Sequence, residues 1–211
     1  MFDRYADYYE RFNQDKPYKK EIEFVYKWAK RPKSIFDIGA GTGNYWKFYP
    51  KGVDIFGVDK SPHMAHNKNN KVCADITTYK HPFREQYDCA TALFDVLNYI
   101  PKHKWWKNLP IKKGGYFIFD IWDKNKIDKD GFRETVKNVN GVLRYIRPIM
   151  VSVKEVSLDI SIYNGKNIFS ETHRMYLYTH RDIELFCDRE FEIVEVNPTK
   201  TWQTWYKLRR L

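Results

Sequence analysis

"FDIGAGTGNYWKFYP", residues 36–50, is the stretch that decides the fold. Its apolar start reads as a buried strand, its glycines as a tight turn, and the remainder as a helix or loop. Strand-to-glycine turns of this kind hold nucleotides. The glycines Gly39, Gly41 and Gly43 do not follow the dinucleotide pattern G-x-G-x-x-G, because Asn44 stands where its third glycine belongs. Asp37 lies two residues before the first glycine. Backbone N–H groups at such turns welcome phosphate, and a carboxylate beside them repels it. A ligand with positive charge gains instead.

Further acids recur outward from this loop. Asp59 closes the run "DIFGVD", 20 residues past Gly39, the position that bonds ribose hydroxyls in nucleotide-binding sheets. Asp75 closes "KVCAD", where a carboxylate can accept from an adenine amino group. "YDCATALFDVL" reads as a fourth strand entering a helix, and "GGYFIFDIW" as a fifth. Strands separated by helix-length segments predict a parallel sheet with right-handed crossovers. S-adenosylmethionine matches these demands, with an ammonium, a sulfonium, an adenosine and no phosphate.

With these residues in place, the chain resembles class I S-adenosylmethionine-dependent methyltransferases over most of its length. The resemblance is carried by "FDIGAGTGNY", "FGVDKSPHM", "CADI", "YDCATALFDVLNYI" and "KKGGYFIFD", and later by "YLYTHRDIELFCDREFEIVEV". It implies a Rossmann-like, doubly wound α/β fold. A mostly parallel seven-stranded sheet would carry helices on both faces and a small antiparallel insertion after strand five. It also implies that Asp37, Gly39, Ala40 and Gly41 line the methionine half of the cofactor. Asp59, with Lys60 beside it, would hold the ribose, Asp75 and Ile76 the adenine, and Leu93 the floor. The product would be S-adenosylhomocysteine. One departure is "KKGG", where relatives often carry Pro-Gly-Gly; it affects a turn and not the chemistry. The N-terminal stretch and the insertion look most like amino-sugar N,N-dimethyltransferases and glycine N-methyltransferase-like enzymes.

At 211 residues and 43% hydrophobic, the chain suits one domain spanning 1–211. Within it, 1–30 reads as a helical lid: Tyr5, Tyr8, Tyr9 and Phe12 form an i, i+3, i+4, i+7 stripe. The insertion occupies 123–178. There "KEVSLDISIY" alternates apolar and polar residues, Asn164-Gly165 marks a hairpin turn, and "VLRYIRPIMVSV" supplies a third strand. Thr179 is a candidate N-cap for the helix "HRDIELFC". "FEIVEV" and "TWQTWYKL" are the closing strands, and Trp105 and Trp106 fit the core and surface faces of a helix.

Methyl transfer needs a nucleophile held in line with the methyl–sulfur bond, about 3 Å away, and a proton acceptor when the nucleophile is an ammonium or hydroxyl. Tyr9, Asp120 and His173 are the catalytic candidates, and Tyr18, Trp122 and Arg174 the substrate-binding ones. No metal site is expected, since His63, His66, His81 and His103 sit in polar runs without clustered acids. Cys73, Cys89 and Cys187 read as free, buried thiols. No run of eighteen apolar residues exists and the start lacks an apolar leader core, so a cytoplasmic protein without a membrane is expected. The expected partners are a small-molecule N or O acceptor, for instance a sugar or nucleotide sugar able to carry phosphate, and a second copy through an exposed strand edge. The net charge of +10 keeps a nucleic-acid acceptor open. A catalytically silent cofactor-binding protein is the remaining alternative.

Overall fold

A computed structural model describes residues 5–65, 70–101 and 105–211. In chain order it begins with helices α1 (Ala6–Phe12) and α2 (Tyr18–Trp28). Strands β1 (Ser34–Ile38), β2 (Asp54–Asp59), β3 (Lys71–Cys73), β4 (Tyr87–Ala92) and β5 (Ile111–Trp122) follow, with α3 (Pro62–Ala65) after β2. Helix α4 (Lys124–Asp130) leads to β6 (Thr135–Val139), β7 (Val142–Ser152), β8 (Glu155–Tyr163) and β9 (Ile168–Tyr176). Helix α5 (His180–Cys187) and strands β10 (Phe191–Pro198) and β11 (Gln203–Arg210) close the chain.

The central sheet has seven strands in the order β10-β11-β5-β4-β1-β2-β3. Strands β1 to β5 pair in parallel, whereas β11 runs antiparallel to both β5 and β10. The fold is therefore the mixed α/β arrangement that the motifs imply. Successive strand residues point to opposite faces, so Ile35 packs under α2 with Cys89, Ile118 and Trp205. Phe36 belongs to the other face, with Phe117, Phe119, Ile121 and Ile183 of α5. Thr179 caps α5 through a capping box with Asp182, as its position suggests.

The second sheet is antiparallel, in the order β6-β7-β8-β9. Strand β8 shows the clean alternation its sequence predicts, with Val156, Leu158, Ile160 and Ile162 buried. That apolar face packs on Tyr5 and Phe12 of the N-terminal segment and on Ile127 of α4. The N-terminal segment thus rests on the antiparallel sheet at one end and on the central sheet, through α2, at the other.

Helices α1 and α2 lie on either side of "NQDKP", residues 13–17. Other local expectations are corrected. Of the two readings, helix or loop, residues 46–48 take a single 3-10 turn, and residues 96–99 after β4 make another in place of the expected helix. Tyr45, Trp46, Phe48 and Tyr49 leave little polar face for a surface helix. Trp105 and Trp106 are both buried, because their 3-10 turn packs against Phe117 and Phe186. Cys73 is exposed while Cys89 and Cys187 are buried, since Cys73 lies on a three-residue edge strand. His66 and His103 lie outside the described residues. Among the described residues, no helix is long and apolar enough to cross a membrane.

Candidate active site

The C-terminal ends of β1, β2 and β4 open into a cleft of about 1070 Å³, its mouth included. Such strand ends are where open α/β sheets bind ligands. The glycine loop, the segment after β2, residues 74–77 and Leu93, Phe94 and Val96 form its walls and floor; Tyr9 and Tyr18 reach it from the N-terminal segment and Tyr45 from the stretch after the glycine loop.

The loop is shaped by two demands on Gly39. Its φ is +65°, and a Cβ there would lie 2.5 Å from Val96 Cγ2. The loop and the floor can approach only because that side chain is missing. Asp59 then fixes the loop, accepting the Gly41 N–H at 2.7 Å and the Ser61 N–H at 2.9 Å. From β3, Lys71 Nζ donates to the Gly41 carbonyl at 2.7 Å and to the Met64 carbonyl at 3.1 Å. Burial raises the Asp59 carboxyl, and the bonds to Ser61 and Gly41 oppose the rise. Each carboxylate oxygen of Asp59 retains a lone pair for a further donor. Thr42 Oγ1, also in the cleft wall, is buried with no hydrogen-bond partner among the described residues.

Asp75 sits at the next segment. Its Oδ1 accepts the Thr77 N–H at 2.9 Å and the Thr77 hydroxyl at 2.7 Å, and Lys60 Nζ approaches Oδ2 at 2.7 Å. Burial pushes this carboxyl up, but Lys60 and Thr77 outweigh it and hold it below the ordinary range. The floor continues from Leu93 into Phe94 and Asp95, which have φ of +68° and +52°. Two consecutive side-chain-bearing residues in the left-handed region are strained. Asp120 of β5 holds them, accepting the N–H of Phe94 at 2.7 Å and of Asp95 at 2.9 Å, with Gln203 Nε2 donating at 2.8 Å.

Asp37 does not line the cleft. It is buried on β1, opposite Thr91 of β4, whose hydroxyl donates to Oδ1 at 2.7 Å. Trp46 Nε1 donates to Oδ2 at 2.6 Å. Gly57, beside Asp37 on β2, admits that indole, since a Cβ there would lie 2.6 Å from Trp46 Cζ2. Burial pushes the Asp37 carboxyl up to about 6, against the pull of its two donors. It remains mostly ionised at neutral pH, as a charge beneath the loop and not a contact in its wall.

Of the other residues singled out from sequence, Gly39, Ala40, Gly41, Asp59, Lys60, Asp75, Ile76, Leu93, Tyr9 and Tyr18 converge on the cleft. Asp120, Trp122, His173 and Arg174 do not line it. Asp120 is fully buried behind Phe94 and Asp95. Trp122 packs against Phe132 and Trp202. His173 is fully buried on the inner face of β9, whereas its neighbour Arg174 points outward and pairs with Glu155 at 3.2 Å. Strand alternation separates the two.

Sequence reasoning missed Lys71, Thr42, Tyr45, Met64, Phe94 and Tyr99. It also missed Lys16, which pairs with Glu21 at 2.7 Å and lies 4.1 Å from the centre of the Phe94 ring. The Tyr45 hydroxyl donates to Glu21 at 2.6 Å, so the break between α1 and α2 is fastened over the cleft. Only the tyrosine stripe of the N-terminal stretch hinted at such a roof.

The profile of a methyltransferase-domain family matches residues 9–148. The chain belongs to that family. This methyltransferase is 27% identical over 206 residues to an uncharacterized protein of Methanocaldococcus jannaschii, covering 89% of this chain and 76% of that one. A crystal structure of an S-adenosylmethionine-dependent methyltransferase from Clostridium acetobutylicum superposes with a TM-score of 0.79, at 22% identity and 98% coverage of both chains. CalS10, an amino pentose methyltransferase from Micromonospora echinaspora with S-adenosylmethionine bound, superposes with a TM-score of 0.77. That match has 17% identity and covers 100% of this chain and 98% of CalS10. The cleft of this methyltransferase lies where strand ends, glycine loop and acids meet. The donor set suits S-adenosylmethionine: Asp59 and Asp75 offer acceptors for hydroxyl and amino groups, and the orphaned Thr42 hydroxyl offers a donor.

Proposed function

We propose that this methyltransferase moves the methyl group of S-adenosylmethionine to an amino group of a small, polar acceptor such as an amino sugar. The observation that carries this reading is the cleft itself. Acids at the ends of successive strands face one side, and a tyrosine roof closes the other. When bound, the cofactor would supply an electrophilic methyl on sulfur, so that attack by the acceptor nitrogen would form an N–C bond while the methyl–sulfur bond's electron pair left with sulfur.

The chain's own residues position the partners. Asp59 would take the ribose hydroxyls, and Asp75 with Thr77 and Ile76 the adenine edge. The glycine loop and Thr42 would hold the methionine end, with Asp37 beneath it as a charge that favours the cation. Tyr9, Tyr18, Tyr45 and Tyr99 surround the remaining space and offer hydroxyls to a polar acceptor while excluding bulk water. A cleft roofed by tyrosines suits a small molecule better than a polymer. The similarity to an amino pentose methyltransferase agrees with that choice. The +10 charge favours an anionic acceptor, and among small molecules a phosphorylated or nucleotide-linked one.

Transfer of a labelled methyl group to a panel of amino sugars, nucleotide-linked amino sugars, amino acids and tRNA tests the reading. Thermal shifts with S-adenosylhomocysteine and NAD accompany it. Labelling of an amino sugar and stabilisation by S-adenosylhomocysteine alone are expected. Labelling confined to tRNA, or stabilisation by NAD alone, overturns it.

A further inference from the structure

His173 is a fully buried, ionisable ring on the apolar face of the antiparallel sheet, opposite Leu158 of β8. A buried imidazole needs partners for both nitrogens. Its Nε2 lies 2.5 Å from Glu171 Oε1, and its Nδ1 lies 3.3 Å from the Tyr99 hydroxyl. An ionised carboxylate only accepts hydrogen bonds, so the Glu171 contact places the proton on Nε2. Nδ1 is then left as the acceptor for the Tyr99 O–H. The other Glu171 oxygen takes the Tyr5 N–H at 3.3 Å, and the Tyr5 ring meets the imidazole edge-on at 6.1 Å.

Tyr99 ends the 3-10 turn that follows β4 and lines the cleft beside Val96 and Phe94. A continuous hydrogen-bonded path therefore runs from the cleft wall, through an imidazole, to a mostly buried carboxylate. Sequence separation hides it: Tyr99 and His173 are 74 residues apart. The arrangement has the logic of a base held in one tautomer by an acid behind it.

We propose that Tyr99, His173 and Glu171 form a proton relay that frees the acceptor amine for attack. This rests on the amine-acceptor reading above. In the step, an N–H proton of the acceptor ammonium passes to Tyr99 Oη while the Tyr99 proton passes to His173 Nδ1. Tyr99 is neutral before and after; the acceptor becomes a neutral amine and His173 an imidazolium, whose charge Glu171 offsets. No tyrosinate is required, which matters because burial holds the Tyr99 hydroxyl well above its ordinary pKa. Tyr99 touches the acceptor, whereas His173 and Glu171 act through it. Among the described residues, the titratable groups facing the relay include Tyr5, Tyr9 and Asp95 near Tyr99 and, one contact further, Arg144 on the Tyr5 hydroxyl.

Two measurements test the relay. Nitrogen-15 spectra of histidine-labelled protein, saturated with S-adenosylhomocysteine, read the tautomer directly, with His173 assigned by loss of its signals in His173→Gln. The expected result is a proton on Nε2, and a shift of the Nδ1 resonance in Tyr99→Phe. A proton on Nδ1, or an Nδ1 signal indifferent to Tyr99→Phe, overturns the relay whatever the acceptor is. The second is the pH profile of S-adenosylhomocysteine formation with the amino sugar that the panel labels. Tyr99→Phe and His173→Gln should each lower kcat roughly 100-fold at pH 6.5. The loss should shrink as pH rises and the free amine forms by itself, with the dissociation constant for S-adenosylhomocysteine within twofold of the parent. A loss equal at every pH overturns the relay and leaves a packing role. If no amine is labelled, the acceptor reading fails, and the spectra still decide the hydrogen-bonded path.

Discussion

Asp120, fully buried on β5, accepts the main-chain N–H of Phe94 at 2.7 Å. Through this bond and its companion to Asp95, one carboxylate holds the strained floor of the cleft in place. Asp120→Asn turns an amide N–H₂ toward donors that need an acceptor. A loss of about 1–3 kcal/mol of stability is expected from the unmet donors, together with roughly tenfold weaker binding of S-adenosylhomocysteine. Urea unfolding and titration calorimetry measure the two; no change in either refutes a holding role for Asp120.

Gly39→Ala meets two separate obstacles, a φ of +65° and a contact with Val96 Cγ2 at 2.5 Å. The left-handed backbone alone costs about 1–2 kcal/mol. Adding Val96→Ala should remove the clash but not the backbone cost. The double variant is therefore expected to regain part, not all, of the stability that Gly39→Ala loses. Full recovery in the double-variant cycle would show that the backbone conformation is not the constraint.

Asp37 gives a pH dependence whose direction follows from its burial. Its folded pKa is raised to about 6 from an ordinary value of 3.8, so between these values the unfolded chain releases a proton that the folded chain keeps. Its contribution to stability is full below the unfolded value and is lost as pH rises through about 6. Burial raises Asp95 and Asp120 in the same direction, with mutual repulsion adding to the rise at Asp95. Asparagine fits the site, accepting from Trp46 and donating to the Thr91 oxygen. Asp37→Asn should thus stabilise the protein by about 1–2 kcal/mol at pH 8, leave it unchanged near pH 3.5, and weaken binding of the cationic cofactor. Melting curves across pH and calorimetry test this; a gain that is equal at both pH values contradicts it.

Lys71→Met removes the ammonium that bonds the Gly41 and Met64 carbonyls while keeping much of the aliphatic stem. The loop should loosen, with cofactor affinity falling about tenfold, equivalent to roughly 1.4 kcal/mol. Hydrogen exchange at residues 39–43 should rise. Protection equal to the parent's at those amides would show that Asp59 alone suffices.

The central sheet was readable because its strands are apolar runs that end in acids, and Asp59 and Asp75 line the cleft as their positions imply. Strand β6 was not readable: among its residues only Val139 is buried, so no alternation marks it. The exposure of Cys73 was hidden for a related reason, since an edge strand uncovers residues that a central strand would bury. Asp37 shows a different limit. Its charge could be read from sequence, but its burial depends on Trp46 and Thr91 closing over it from separate elements. Arg174 shows that a hairpin identified correctly still needs its register, because one residue's shift decides which face a side chain takes.

Asn98 sits fully buried where the two sheets meet. Its side chain donates to the Tyr176 carbonyl on β9 at 2.7 Å and accepts the Trp122 N–H at the end of β5 at 2.9 Å. The 3-10 turn that carries Asn98 also carries Val96 and Tyr99, both in the cleft wall. One amide therefore ties the antiparallel sheet, the central sheet and the cleft into a single mechanical joint. The seam between the sheets and the cleft wall thus share one set of hydrogen bonds.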